Sequence, residues 1–160
     1  MAEPLGTFLA RRMGDEIALL RDFVAVLERE QAGLSADHAE EIATVAQIKV
    51  ELVRQLGQIA AERNLALARV GFTTDRAGLD AFIDCQAESA KLAQQRDQLL
   101  ALAGEADRIN RTNGKLIRMR MVHNQKSLTF LLGGESASTY GRDGRAMLGG
   151  GPAGRRLTTA

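Results

Sequence analysis

The stretch LARRMGDEIALLRDFVAVLEREQAGL, residues Leu9–Leu34, decides the fold class of this chain. Its apolar side chains recur every three or four positions, which is the period of one face of an α-helix. The stripe consists of Leu9, Met13, Ile17, Leu20, Val24, Leu27, Gln31 and Leu34. A helix with so long and regular a stripe has to bury a broad face. The sequence therefore predicts that it packs against other long helices.

The same spacing continues downstream, this time with two cations inside the stripe. The second stripe consists of Ile42, Val45, Lys49, Leu52, Leu56, Ile59, Arg63 and Ala66. We expect the stems of Lys49 and Arg63 to lie on apolar neighbours while their charged heads reach water or an acid. Between the stripes, Gly33 predicts a helix stop and Ser35 a possible N-cap, so that the two helices form a hairpin.

A third stripe begins after a break that contains two glycines, Gly71 and Gly78. Thr73 or Thr74 is the predicted N-cap of the helix that follows. The stripe itself consists of Leu92, Leu99, Leu102, Ala106, Ile109, Asn113, Leu116 and Arg120. The sequence leaves open whether this helix runs continuously from Thr74 or restarts near Ala87.

The third helix is expected to pass through Gly114, because the helical period continues on both sides of it, and to fray near Ser127. The composition then changes at Gly133. Residues 133–160 hold eight of the sixteen glycines and the only tyrosine, Tyr140. A segment of this kind cannot bury enough apolar surface to offset the entropy of ordering it, so we expect a flexible tail.

These patterns predict an all-α fold. Residues 1–132 are expected to form an elongated antiparallel bundle of three long helices, with or without a fourth short one, and residues 133–160 a Gly-rich C-terminal tail. The length of 160 residues suits one domain. A formal net charge of +1 provides no overall attraction to nucleic acid or to an anionic membrane.

The sequence indicates a cytoplasmic protein without chemistry of its own. Its apolar runs are shorter than the ~20 residues that a membrane span needs, and its start lacks the apolar core of a secretory signal. His38 and His123 are expected on the surface, since no metal-ligand spacing surrounds either. Cys85, the only cysteine, is expected to be a small buried residue in a reducing compartment. We predict no catalytic residue, no cofactor and no metal.

One charged segment stands out near the end of the third helix. Between Arg108 and Lys126 the chain carries six cations, and no acidic residue occurs between Asp107 and Glu135. A solvated face, an acidic protein partner and a nucleic acid all remain possible explanations. The apolar cluster Leu128–Leu132 is either the last turn of the bundle or an exposed docking patch.

Part of this region resembles a known family. The residues that carry the likeness are the run INRTNGKLI (Ile109–Ile117), Asn124-Gln125 with Leu128 and Leu131, and Tyr140-Gly141-x-Asp143-Gly144. A looser N-terminal pattern is Glu30-Gln31 with Leu34, and Lys49 with Leu52. These motifs are similar to those of FlgN-type flagellar type III export chaperones.

The resemblance implies a cytoplasmic, helical, non-enzymatic chaperone. Such a protein binds hook–filament junction proteins, prevents their premature assembly and presents them to the cytoplasmic domain of the membrane-bound export gate. The implied client-binding residues are Asn110, Asn113, Gly114, Leu116, Ile117, Met121, Asn124, Leu128, Phe130, Leu131 and Leu132. The implied export-gate residues are Tyr140, Gly141, Asp143 and Gly144.

Two other classes of function remain as alternatives. One is a nucleic-acid-associated helical protein that uses the Arg108–Lys126 segment, although we expect no nucleic-acid partner. The other is a structural coiled-coil adaptor. Homodimerisation is left open, and no direct insertion into a membrane is expected.

Overall fold

The computed structural model describes residues 3–36, 38–87 and 89–133, which form four α-helices. These are α1 (Leu5–Ala36), α2 (Ala39–Arg69), α3 (Arg76–Asp84) and α4 (Ser89–Gly133). The predicted all-α bundle of three long helices and a short fourth one is confirmed. Beyond Gly133, the predicted tail lies outside the described residues. The chain divides into a first unit, Met1–Arg118, and a second unit, Met119–Ala160, and α4 contributes to both.

In the first unit, α1 runs antiparallel to α2 and parallel to α4. Ion pairs join Arg12 to Glu62 at 3.2 Å and Glu30 to Lys49 at 3.0 Å, so positions rise along α1 as they fall along α2. Hydrogen bonds join α1 to α4 at two levels, from Gln95 to the Ala10 carbonyl and from Asn113 to the Leu27 carbonyl. Positions therefore rise together along these two helices.

The largest apolar cluster lies where α3 packs against the long helices. Its buried residues are Leu9, Met13, Ile17, Leu67, Leu79, Phe82, Ile83, Leu92 and Leu99. Phe72 meets Phe82 edge to face, with 5.5 Å between the ring centroids. Phe82 and Ile83 are 4% and 2% exposed, so the short helix adds two large buried side chains to this core.

Two smaller clusters continue the core along α1. Val24 and Leu27 pack with Ala106 and Ile109 of α4, and Val26 packs with Val45 and Leu52 of α2. The apolar stripes predicted from the sequence thus supply most of the buried side chains.

The two cations predicted inside the α2 stripe both reach acids on α1. Lys49 pairs with Glu30, and Arg63 pairs with Glu16. Their stems lie along the seam, because the side chains are only 24% and 18% exposed. This prediction is confirmed.

The predicted stop at Gly33 is wrong, because α1 continues to Ala36 and Gly33 is buried inside it. A Cβ at Gly33 would lie 3.3 Å from Cγ1 of Ile42, so the glycine permits a close approach of α2. Ser35 is not an N-cap, since its hydroxyl donates back to the Gln31 carbonyl at 2.9 Å within α1. The N-cap of α2 is His38, which makes no side-chain capping bond.

The N-cap predicted at Thr73 or Thr74 is also wrong, because Asp75 occupies that position at the start of α3. Its Oδ1 accepts from the Gly78 backbone N–H at 2.9 Å and from the Thr73 hydroxyl at 2.6 Å. These bonds, the Thr73 bond first, lower the pKa of Asp75. Since α3 ends at Asp84 and α4 begins at Ser89, the segment left open by the sequence is a separate helix.

The remaining sequence expectations concern Cys85 and the course of α4. Helix α4 passes through Gly114 as predicted, but it continues to Gly133 instead of fraying near Ser127. Leucines are strong helix formers, and the helix persists through the leucine-rich segment that follows Ser127. Cys85 is exposed, not buried, because it is the C-cap of α3, where the chain leaves the core.

Candidate protein-binding surface

The described part of the second unit, residues 119–133, carries a dense group of exposed apolar side chains. Each is between 51% and 83% exposed, and Phe130 is the most exposed. We call this group the α4 apolar surface: Met119, Met121, Val122, Leu128, Phe130, Leu131 and Leu132. So many large apolar side chains exposed on one short segment are typical of an interaction surface in soluble proteins. The Leu128–Leu132 cluster thus has the exposure expected of a docking patch.

The helical period sorts the α4 apolar surface into faces. Met121, Leu128 and Leu132 are seven and four residues apart, so they lie on one face, with Asn124 between them. Phe130 projects from the opposite side of the helix, because it is nine residues from Met121 and each residue turns by 100°. At its end the helix is therefore apolar on more than one side.

The charges near this surface have one sign. Lys126 is exposed on α4, and no acidic residue occurs in the sequence between Asp107 and Glu135. Within the first unit, Arg111 pairs with Asp107 at 2.7 Å, and that hydrogen bond raises the pKa of Arg111. One of the six cations predicted as a group is therefore neutralised along its own helix. No described contact specifically favours nucleic acid.

Two of the predicted client-binding residues make contacts that hold helices of the first unit together. Asn113 is 1% exposed, and its Nδ2 donates to the Leu27 carbonyl and to Glu30 Oε2, both at 2.8 Å. Asn110 is exposed, and its Oδ1 accepts from Lys49 Nζ at 2.8 Å. Lys49 Nζ also donates to both oxygens of Glu30, at 3.0 and 3.3 Å. We call Glu30, Lys49, Asn110 and Asn113 the polar node.

The other predicted site residues fall into three groups. In the first unit Gly114 and Leu116 are half-buried, and Ile117 is exposed. In the second unit Asn124 and the candidates Met121, Leu128, Phe130, Leu131 and Leu132 are all exposed. The predicted export-gate residues Tyr140, Gly141, Asp143 and Gly144 lie outside the described residues.

The candidate set from the sequence omitted Met119 and Val122, which the structure adds to the α4 apolar surface. Both residues lie off the apolar stripe of α4, and Met119, like Met121, is a methionine whose flexible side chain suits a client surface. The signal that could have found them is a run of apolar residues on several faces of one helix. The sequence also named all four residues of the polar node, but only as separate parts of motifs.

Other kinds of site are not visible in the described ranges. No group of three or more His, Cys, Asp and Glu side chains there could hold a metal ion. His38 and His123 are both exposed, as predicted. None of the described helices combines the length and the apolarity needed to cross a bilayer.

The family match and the structural match to known proteins indicate the same family. The FlgN protein family matches residues 7–147. A crystal structure from Pseudomonas aeruginosa, described as a "putative flagella synthesis protein flgn", is similar with a TM-score of 0.64 at 20% identity. The likeness covers 73% of this chain and 90% of that one, and it supports the fold. Among curated proteins none matches this sequence. Because the family match spans most of the helical body and reaches beyond it, the chain belongs to the FlgN family.

Proposed function

We propose that this chain is a cytoplasmic chaperone of flagellar protein export. It binds hook–filament junction proteins, keeps them from assembling early and presents them to the export gate. Membership of the FlgN family supports a role in flagellum assembly. The single observation that carries the chaperone part of the proposal is the exposed α4 apolar surface.

The proposed client contact is an amphipathic helix packed against α4. Fully burying a large apolar side chain is worth ~1.5–3 kcal/mol, so several such side chains provide ample gross energy. Association and the ordering of both partners offset much of it, which keeps the complex releasable. Met119 and Met121 are flexible and polarizable, so this surface can adapt to more than one client helix.

The charges add a preference to this apolar contact. Because Lys126 has no acidic residue near it in the sequence, a client helix with acidic residues beside its apolar stripe would be favoured. Exposed ion pairs are screened by salt, so this contribution should be modest. Docking at the export gate through Tyr140, Gly141, Asp143 and Gly144 remains part of the proposal, supported by the family resemblance.

The test compares two double variants, each of which replaces two exposed aliphatic side chains with glutamine. Leu128→Gln/Leu131→Gln removes the apolar contact from α4, while Val50→Gln/Val53→Gln changes exposed residues of α2. Glutamine is a good helix former, so both variants should keep their helices. Calorimetric titration with a purified junction protein should show at least ~10-fold weaker binding for the α4 variant.

The α2 variant is the matched control and should bind within about twofold of the unchanged chain, a difference of ~0.4 kcal/mol. Equal loss of affinity in both variants would contradict the assigned surface. Failure of the unchanged chain to bind any junction protein would contradict the proposed function itself.

A further inference from the structure

The polar node joins the three long helices at one level of the first unit. Glu30 lies on α1, Lys49 on α2, and Asn110 and Asn113 on α4. Glu30 is 5% exposed and Asn113 is 1% exposed, although most of the surrounding buried side chains are apolar. The node shares no residue with the α4 apolar surface, so variants of the two can be tested separately.

The chemistry of its neighbours determines how the Asn113 amide is oriented. The NH₂ group faces two acceptors, the Leu27 carbonyl and the Glu30 carboxylate. Rotating the amide by half a turn would place its oxygen against those two oxygens instead. In the orientation present, Asn113 Oδ1 is buried without a hydrogen-bond partner. A buried orphan acceptor costs stability, which offsets part of what the two hydrogen bonds of Asn113 contribute.

The heptad repeat of the apolar residues on α4 does not by itself specify one register. Leu92, Leu99 and Ala106 are buried and are separated by exactly one heptad, and Asn113 occupies the next position of the same series. On α1, the series Met13, Leu20, Leu27 and Leu34 has the same period. Two stripes with a common heptad period can slide by seven residues and still bury aliphatic side chains against each other.

The hydrogen bonds between Asn113 and the hairpin can form in one register only. If α4 slid by one heptad, either Ala106 or Arg120 would take the place of Asn113 opposite Leu27. Alanine has no side-chain donor, and arginine would bring a longer side chain and a second cation beside Lys49. A single buried asparagine in a heptad seam is a well-attested means of specifying register at a cost in stability.

We propose that the polar node is a register lock, which holds α4 in one axial position against the α1–α2 hairpin. Glu30 and Lys49 provide a fixed ion pair on the hairpin, and Asn113 is the residue of α4 that donates a hydrogen bond to its carboxylate. Asn110 adds a contact to Lys49 one turn away.

The test measures register and stability separately in the full chain. Spin labels are placed on exposed cysteines at Arg21→Cys and Gln94→Cys in a Cys85→Ser background. A slip of one heptad moves α4 by ~10.5 Å along its axis, and pulsed electron resonance resolves the resulting change in distance. The parent chain should give one narrow distance. Asn113→Leu should keep its melting temperature or raise it, and should give a second distance or a clearly broadened distribution.

Two further variants complete the test. Glu30→Leu/Lys49→Leu/Asn113→Leu replaces the buried charges and the amide together, leaves no charge unpaired, and should also show several distances. Leu99→Ile alters an apolar heptad position and should keep the single distance. A single narrow distance in either Asn113 variant would overturn the proposal, as would a large fall in the melting temperature of Asn113→Leu, because the node would then act through stability.

Discussion

At the scale of single residues, the seams of this bundle contain charges that are neither fully buried nor free in water. Glu16 is an example, since its side chain is 12% exposed and pairs with Arg63. Burial raises the pKa of the Glu16 carboxyl, and the attraction and hydrogen bond of Arg63 only partly offset that effect. The pair is therefore a net cost for the ionised carboxylate, although the contact looks favourable.

This balance predicts how Glu16→Gln changes stability with pH. A carboxyl whose pKa is raised on folding destabilises the native state once it ionises, so the native chain should lose stability as pH rises above 4.5 through the raised pKa. The glutamine variant lacks that ionisation. Urea unfolding at a series of pH values should show that the free energy of unfolding of the variant increases relative to that of the unchanged chain as pH rises.

Glu51→Gln is the opposite control. Hydrogen bonds from Arg54 and then Gln55 lower the pKa of Glu51 to about 2. The ionised Glu51 carboxylate stabilises the native chain above pH 4.5, and this stabilisation is lost as pH falls to about 2. Relative to the unchanged chain, Glu51→Gln should therefore become less stable as pH rises from about 2 to 4.5. The effect should be small because Glu51 is exposed. A Glu16→Gln variant that loses relative stability above pH 4.5 would show that pairing with Arg63 outweighs burial.

At the scale of helices, periodicity predicted the elements because three long stripes of apolar residues have the helical repeat. The ends of the helices were harder to predict, because they depend on contacts remote in sequence or on a choice among neighbouring polar residues. Gly33 looks like a stop until Ile42 is placed against it, and Asp75 competes with two threonines for the same capping position. The short α3 could not be separated from α4 by pattern alone.

Two glycines in different helices provide a paired prediction about these elements. Gly57 lies inside α2, and nothing lies within 4 Å of the position that a Cβ would occupy. Gly57→Ala should therefore stabilise the chain by ~0.5–1 kcal/mol through the lower entropy of the unfolded state. At Gly78, in the first turn of α3, a Cβ would lie 1.9 Å from the Thr73 carbonyl oxygen.

Gly78→Ala should accordingly destabilise the chain by ~1–3 kcal/mol, because the capping loop has to move. Urea unfolding of both variants at the same pH measures the difference. Similar effects of the same sign would mean that the Thr73–Gly78 loop is looser than its hydrogen bonds indicate.

At the scale of the whole molecule, the sequence predicted the helical body and the family more completely than the candidate site. The Ile109–Ile117 run identifies the family, yet its asparagines belong to a node that also needs Glu30 and Lys49. No spacing along the chain could show that these four residues meet. The Leu128–Leu132 cluster could be recognised from the sequence as one of two things, a last bundle turn or a docking patch, and the structure shows that its leucines and Phe130 are exposed.

The central claim is that the end of α4 is where this chain holds its client, and hydrogen exchange tests it most directly. The chain is compared alone and saturated with a purified junction protein, with complex formation verified in the same sample. Backbone amides of residues 119–132 should exchange markedly more slowly in the complex, while those of residues 46–61 on α2 should change little. Protection confined to α2 or to other parts of the chain, with residues 119–132 unchanged in a verified complex, would contradict the account.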